Sequence, residues 1–121
     1  CVSIYPAKLE DLNLNAIKFL KRKFKCPIGF SDHSKGIDAA LGAVVLGAKY
    51  IEKHLTLNTK DKGPDHKASI EPSEFKKMVD GIRNLEIAVG REKKKQQNRK
   101  SRENLALEEV YLQTRTYLKI P

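Results

Sequence analysis

The sequence predicts an α/β protein in which three βα units contribute parallel strands to part of a (β/α)8 TIM barrel. Three observations lead there. β-prone and helical segments alternate as strand, helix, strand, helix, strand, helix with short connections, the order of parallel βαβ units. The strand candidates are not the near-continuous apolar runs of a sheet covered on both faces. Each instead carries a polar face that gathers toward its C-terminal end: Ser3 and Tyr5, then Ser31 and His33, then Glu52, His54 and Thr56. In a (β/α)8 barrel the C-terminal strand ends build the active site. The polar faces therefore make sense if these strands share a barrel with others not found in this chain.

Each element has a local reason. Residues 2–5 are β-prone and stop at Pro6. Leu12, Ile17, Phe19, Leu20 and Phe24 recur at helical spacing, while Lys18, Lys21, Arg22 and Lys23 fill the wet face. Pro27 restarts the chain as extended, making residues 28–33 the second strand. Gly36 opens a helix carrying Ile37, Ala40, Leu41, Val44 and Val45 on one stripe, and Gly47 caps it. Residues 50–57 form the third strand, followed by a loop containing Gly63-Pro64. Pro72 suits a first helical turn, with Glu74 close behind. Phe75, Met78, Val79, Ile82, Leu85 and Val89 make that helix's apolar stripe, and Gly90 ends it.

Composition narrows the function classes. A chain of 121 residues allows one domain with a modest core. No apolar run reaches the roughly 18 residues a membrane helix needs, and the mean hydropathy of -0.54 fits a soluble protein. No secretory leader is evident, and the missing initiator Met points to a chain cut from something longer. Cys1 and Cys26 fit no disulfide framework or zinc spacing, so both are expected reduced, in the cytoplasm. The net charge of +9 is concentrated near the end: residues 91–121 hold nine Lys/Arg against four Asp/Glu. The run REKKKQQNRKSR at 91–102 lacks aromatics for base stacking and any nucleic-acid motif. A solvated arm is the favoured reading; a small basic nucleic-acid-binding module is the alternative.

All three histidines fall between Gly29 and His66. His33 and His54 stand 21 residues apart, which matches no local ligand spacing. Spacing alone leaves them as core or surface histidines. His66 reads as a solvated loop histidine. Asp32 alternates to the face opposite His33 and reads as structural. Glu52 and Lys53 are candidates for a local support network, with Glu52 on the face of His54 and Lys53 toward the helical layer.

Four motifs then stand in order over residues 1–90: CVSIYPAKLEDLNLNAI, IGFSDHS, GAVVLGAKYIEKHLTL and GPDHKASIEPSEFKKMV. In that order and spacing the chain resembles the sialic acid synthase family. These are the phosphoenolpyruvate-dependent synthases of N-acetylneuraminate and related nonulosonic acids such as legionaminate and pseudaminate. The family's catalytic domain is a (β/α)8 barrel followed by a small antifreeze-like domain. The resemblance implies that residues 1–90 are the last three βα units of that barrel. Residues 91–121 would be a basic linker, around Asn98-Arg99-Lys100, and a divergent tail without the antifreeze-like domain.

The resemblance also implies roles for single residues. His33 and His54 would bind a divalent metal, manganese first, with magnesium or cobalt as alternatives, and so serve catalysis. Ser31 and Ser3 would contact the enolpyruvate side, although Ser3 stands where some members have Asn. Tyr5 and Asp65 would contact the N-acetyl amino sugar, N-acetylmannosamine or a relative. The implied reaction joins C3 of phosphoenolpyruvate to a metal-activated sugar aldehyde; water then adds at C2 and phosphate leaves. The family's phosphate-binding lysines lie on strands not found here, and a cross-subunit arginine implies a homodimer for complete members. The chain alone is therefore expected to give no turnover.

Overall fold

Two four-residue strands, β1 (Gly29–Asp32) and β2 (Tyr50–Lys53), run parallel at the centre of the chain. Their register pairs Gly29 with Tyr50, Phe30 with Ile51, Ser31 with Glu52 and Asp32 with Lys53. Burial alternates identically along both: Phe30, Asp32, Ile51 and Lys53 are buried, and the residues between them are not. The computed structural model describes residues 1–90 together with a third, two-residue strand, β3 (Tyr111–Leu112). The basic run at 91–102 lies outside the described residues.

The helix α2 (Asp38–Val45) connects β1 to β2 and buries Ala39, Ala40 and Ala43. Side chains this small let it settle close upon the sheet and upon α3 (Pro72–Val89). A Cβ on Gly81 of α3 would stand 3.1 Å from Leu41 Cδ2 of α2, so the glycine is what lets these helices approach. Met78 and Ile82 of α3 are wholly buried and join Phe30, Ile51 and Ile70 in one apolar cluster. As expected, α3 begins with Pro72 in its first turn and stops at Gly90, whose φ of 59° suits glycine. Glu71, just before it, accepts hydrogen bonds at Oε1 from Thr59 N–H (3.0 Å) and Thr59 Oγ1 (2.9 Å). These bonds, the backbone one first, hold its carboxyl below the usual range.

Several expectations are corrected. Residues 2–5 form no ladder; a single parallel bridge, Ala7 with Ser34, is what remains of that strand. Pro6 offers no N–H beside it, and the Tyr5–Pro6 peptide is cis. The third strand ends at Lys53 instead of residue 57, after which Leu55 bridges to Ile70. The first helix is shorter than its pattern: a 3-10 turn at Leu9–Asp11 precedes α1 (Ala16–Phe24). Ile17 is buried as expected, but Phe19 and Phe24 are over half exposed. The ammonium of Lys23 lies 5.7 and 5.5 Å from their ring centres, a cation–π arrangement on the surface. Finally, Tyr111–Leu112, read as part of a tail, pairs parallel with Tyr50–Ile51 and gives the sheet order β1-β2-β3. Two residues have no periodicity from which this could have been read.

Candidate active site

The register of β1 and β2 sets two histidines beside each other. A histidine follows each strand in the sequence, and because Asp32 pairs with Lys53 the two stand side by side at the C-terminal strand ends. The rings of His33 and His54 lie 5.5 Å apart at 84°. Tyr5 completes the cluster, 4.4 Å from His54 and 5.4 Å from His33. It is delivered by the Ala7 bridge, where the Ala7 N–H donates to His33 O at 2.8 Å.

Around the rings lies a polar network. Ser31 Oγ donates to Glu52 Oε1 at 2.7 Å and stands 3.3 Å from His33 Nε2. The other nitrogen, His33 Nδ1, is buried with no hydrogen-bond partner among the described residues. The Tyr5 hydroxyl donates weakly to Asp65 O (3.4 Å) and meets Ser69 Oγ at 3.3 Å, while Ser69 Oγ donates to Asp65 O at 2.7 Å. Burial pushes the Tyr5 phenol above its ordinary value of 10.0; the Ser69 bond opposes this, and the carboxylates of Asp65 and Asp32 add to it.

On the other face of the same strands, Lys53 Nζ donates to Asp32 Oδ2 at 2.8 Å, with both side chains essentially inaccessible. Asp32 Oδ1 accepts from Ser34 N–H (2.9 Å) and Ser34 Oγ (2.7 Å), and Lys53 Nζ also donates to Ser34 O. The reading of Asp32 as structural and of Lys53 as helix-facing agrees with this arrangement. Glu52 and Lys53 do not form a joint network, because they are adjacent in a strand and point to opposite faces.

Of the residues singled out in the sequence, the fold brings Tyr5, Ser31, His33 and His54 together. Asp65 is exposed and joins through its backbone carbonyl. Ser3 is exposed too, and no hydrogen bond among the described residues ties it to the rings. His66 is not the solvated loop histidine expected: it is half-buried, with Nδ1 2.7 Å from Thr56 Oγ1. Sequence reasoning missed the Ser31–Glu52 bond and the part of Ser69. The first was open to reading, since Ser31 and Glu52 share the polar face two positions before each histidine. The second depends on how the 57–71 loop returns, for which no local signal exists.

A cleft of about 390 Å³ lies elsewhere, at the N-terminal strand ends, with Lys21, Lys25, Cys26 and Lys49 on its walls. The C-termini of α1 and α2 also end there. Lysines beside helix C-termini answer the negative end of the helix dipole, so the cleft needs no ligand to explain it.

The donor set at the strand ends does suit a divalent cation. Two neighbouring imidazoles, one with a buried unpaired nitrogen, offer lone pairs of the borderline-soft kind that such ions accept. No three His, Cys, Asp or Glu side chains converge on one ion position among the described residues. A two-imidazole site leaves its other positions for substrate oxygens, water and groups from elsewhere.

Comparison with known proteins places the chain. The NeuB family profile matches residues 1–94. The chain belongs to the NeuB family. Over 90 residues it is 49% identical to an N,N'-diacetyllegionaminic acid synthase of Campylobacter jejuni, covering 74% of this chain and 27% of that enzyme. The human N-acetylneuraminate-9-phosphate synthase is 45% identical over 91 residues, covering 74% of this chain and 25% of the enzyme. The crystal structure of an N-acetylneuraminic acid synthetase from Leptospira borgpetersenii, in complex with citrate, superposes with a TM-score of 0.76 at 44% identity. That match covers 82% of this chain and 35% of the synthetase. The α/β architecture with its parallel sheet is thus similar to part of a sialic acid synthetase, and the chain spans about a quarter of the length of these curated relatives. No helix among the described residues is long and apolar enough to cross a membrane.

Proposed function

We propose that this chain is the C-terminal portion, three βα units, of the (β/α)8 catalytic barrel of a phosphoenolpyruvate-dependent nonulosonate synthase. Its sugar substrate is an N-acetylated amino sugar and its product a sialic acid-type acid. One observation carries the reading: His33, His54 and Tyr5 meet at the C-terminal ends of adjacent parallel strands, in a chain of this family. That is where barrel enzymes hold their chemistry.

In this reading His33 and His54 hold a divalent ion, manganese first. What such an ion supplies when bound is Lewis acidity at a carbonyl oxygen. The chain's own residues do the rest of what these units contribute. Ser3 offers a hydroxyl to carboxylate or phosphate oxygens of the enolpyruvate, and Ser31 does so by turning its one O–H from Glu52 to the substrate. Tyr5 and the exposed Asp65 face the sugar, the tyrosine as a neutral donor because burial disfavours its phenolate. Glu52 holds Ser31 by the 2.7 Å bond, which turns the serine hydroxyl away from free rotation. With only three units, phosphate-binding groups of the remaining barrel are supplied by other strands, and the complete enzyme is a homodimer.

The test is a manganese titration of the purified chain beside His33→Ala and His54→Ala. Saturable binding near one equivalent, lost in both variants, is expected. Binding that ignores both substitutions, or none in the folded wild type, overturns the metal assignment.

A further inference from the structure

Asp32 and Lys53 end adjacent parallel strands and stand opposite each other in register. Their side chains meet on the face turned away from the histidines, the buried face that Phe30 and Ile51 also take, and are 0% and 1% exposed. Taking two charges out of water is costly, and well-packed apolar side chains commonly serve stability as well or better. Stability alone is thus a poor reason for an ion pair at this place. Register is a better one. A slip of one residue would turn Lys53 to the polar face and His54 toward the helices. A slip of two would leave both charges buried without their partner. The same pair fixes the chain around His33 on both sides, since Asp32 precedes it and Ser34, bonded to both charges, follows it.

We infer that the Asp32–Lys53 ion pair is a register lock for the two histidines: a pair of positioning residues, buried behind the site, that keeps His33 and His54 side by side. Its consequence for metal affinity rests on the function proposed above; its effect on the rings does not.

The test uses the full 121-residue chain and separates the two. In Asp32→Asn with Lys53→Met, the asparagine still accepts from Ser34 and the methionine keeps the lysine's bulk, so what is removed is the ion pair together with the Lys53 bond to Ser34 O. Nuclear Overhauser contacts among the ring protons of His33, His54 and Tyr5 report the geometry without any metal. Cobalt(II), read by its visible bands, reports the ligand pair. The expected result is a folded double variant whose ring contacts are weakened or gone and whose cobalt affinity falls about tenfold or more, the range found when supports behind metal ligands are removed. A folded double variant with wild-type ring contacts overturns the inference, whatever the metal does. Wild-type ring contacts without cobalt binding in the parent chain would instead count against the proposed function alone. If the double variant does not fold, Asp32→Glu keeps the charges and displaces them by one methylene. Shifted ring contacts in that variant support the lock, and unchanged ones overturn it. Unfolding of both variants overturns it too, because the pair then holds the whole fold and not the rings in particular.

Discussion

Tyr5 joins both histidines by ring contact and joins the returning loop by its hydroxyl, and that hydroxyl titrates above 10.0 chiefly because it is buried. The folded chain thus keeps a proton that the unfolded chain releases first. The stability this gives is complete below pH 10 and is lost as pH climbs from there through the folded pKa. An ultraviolet titration of phenolate absorbance should contain one component above the ordinary range that disappears in Tyr5→Phe. Lys53 offers a second prediction. Lys53→Met alone leaves the Asp32 carboxylate buried without a counter-charge, which costs about 3–5 kcal/mol. Urea denaturation should show that loss, and adding Asp32→Asn should recover most of it. The strand period placed His33 and His54 on polar faces at strand ends, but their naming as site candidates, and that of Tyr5, rested on the resemblance of the motifs around them. The positions of Ser3, Asp65 and His66 were not legible, since a bend or loop has no such period.

Elements were read well where the pattern ran long. The Pro72 and Gly90 boundaries of α3 match the structure, and its apolar stripe has Met78 and Ile82 at its buried centre, although Val89 at its end is exposed. Ile82→Ala should therefore cost about 2–5 kcal/mol, as measured by chemical denaturation, because it opens a cavity between α2 and α3. Short strands fared worse: four residues need a partner to define their ends, and residues 2–5 found only one bridge. The α1 stripe overreached because Phe19 and Phe24 found a lysine instead of a core. At the junction of loop and α3, Glu71 is held ionised by Thr59. Its contribution is present above pH 4.5, the ordinary value, and is lost as pH falls through the lower folded pKa. Glu71→Gln should remove that part of the acid dependence, seen as a smaller drop in melting temperature between pH 5 and about pH 3 than in the wild type.

For the molecule as a whole, alternation of strands and helices announced the parallel sheet, whereas its third member came from a segment with no strand signal at all. That strand covers backbone groups of Tyr50 and Ile51 that would otherwise face outward. A chain ending at Gly90 should accordingly associate more readily, measured by light scattering at matched concentrations. The Tyr5 bonds have a further consequence, one of time. They span 60 and 64 residues, whereas β1 and β2 pair across 21. Loop closure disfavours the distant contacts, so β1, α2 and β2 are expected to assemble first, and the tyrosine, like β3, to arrive later. An ion or substrate that recognises only the completed ring would then leave the folding rate alone and slow unfolding. In stopped-flow traces with and without manganese, the ligand would act as a latch closed after the door.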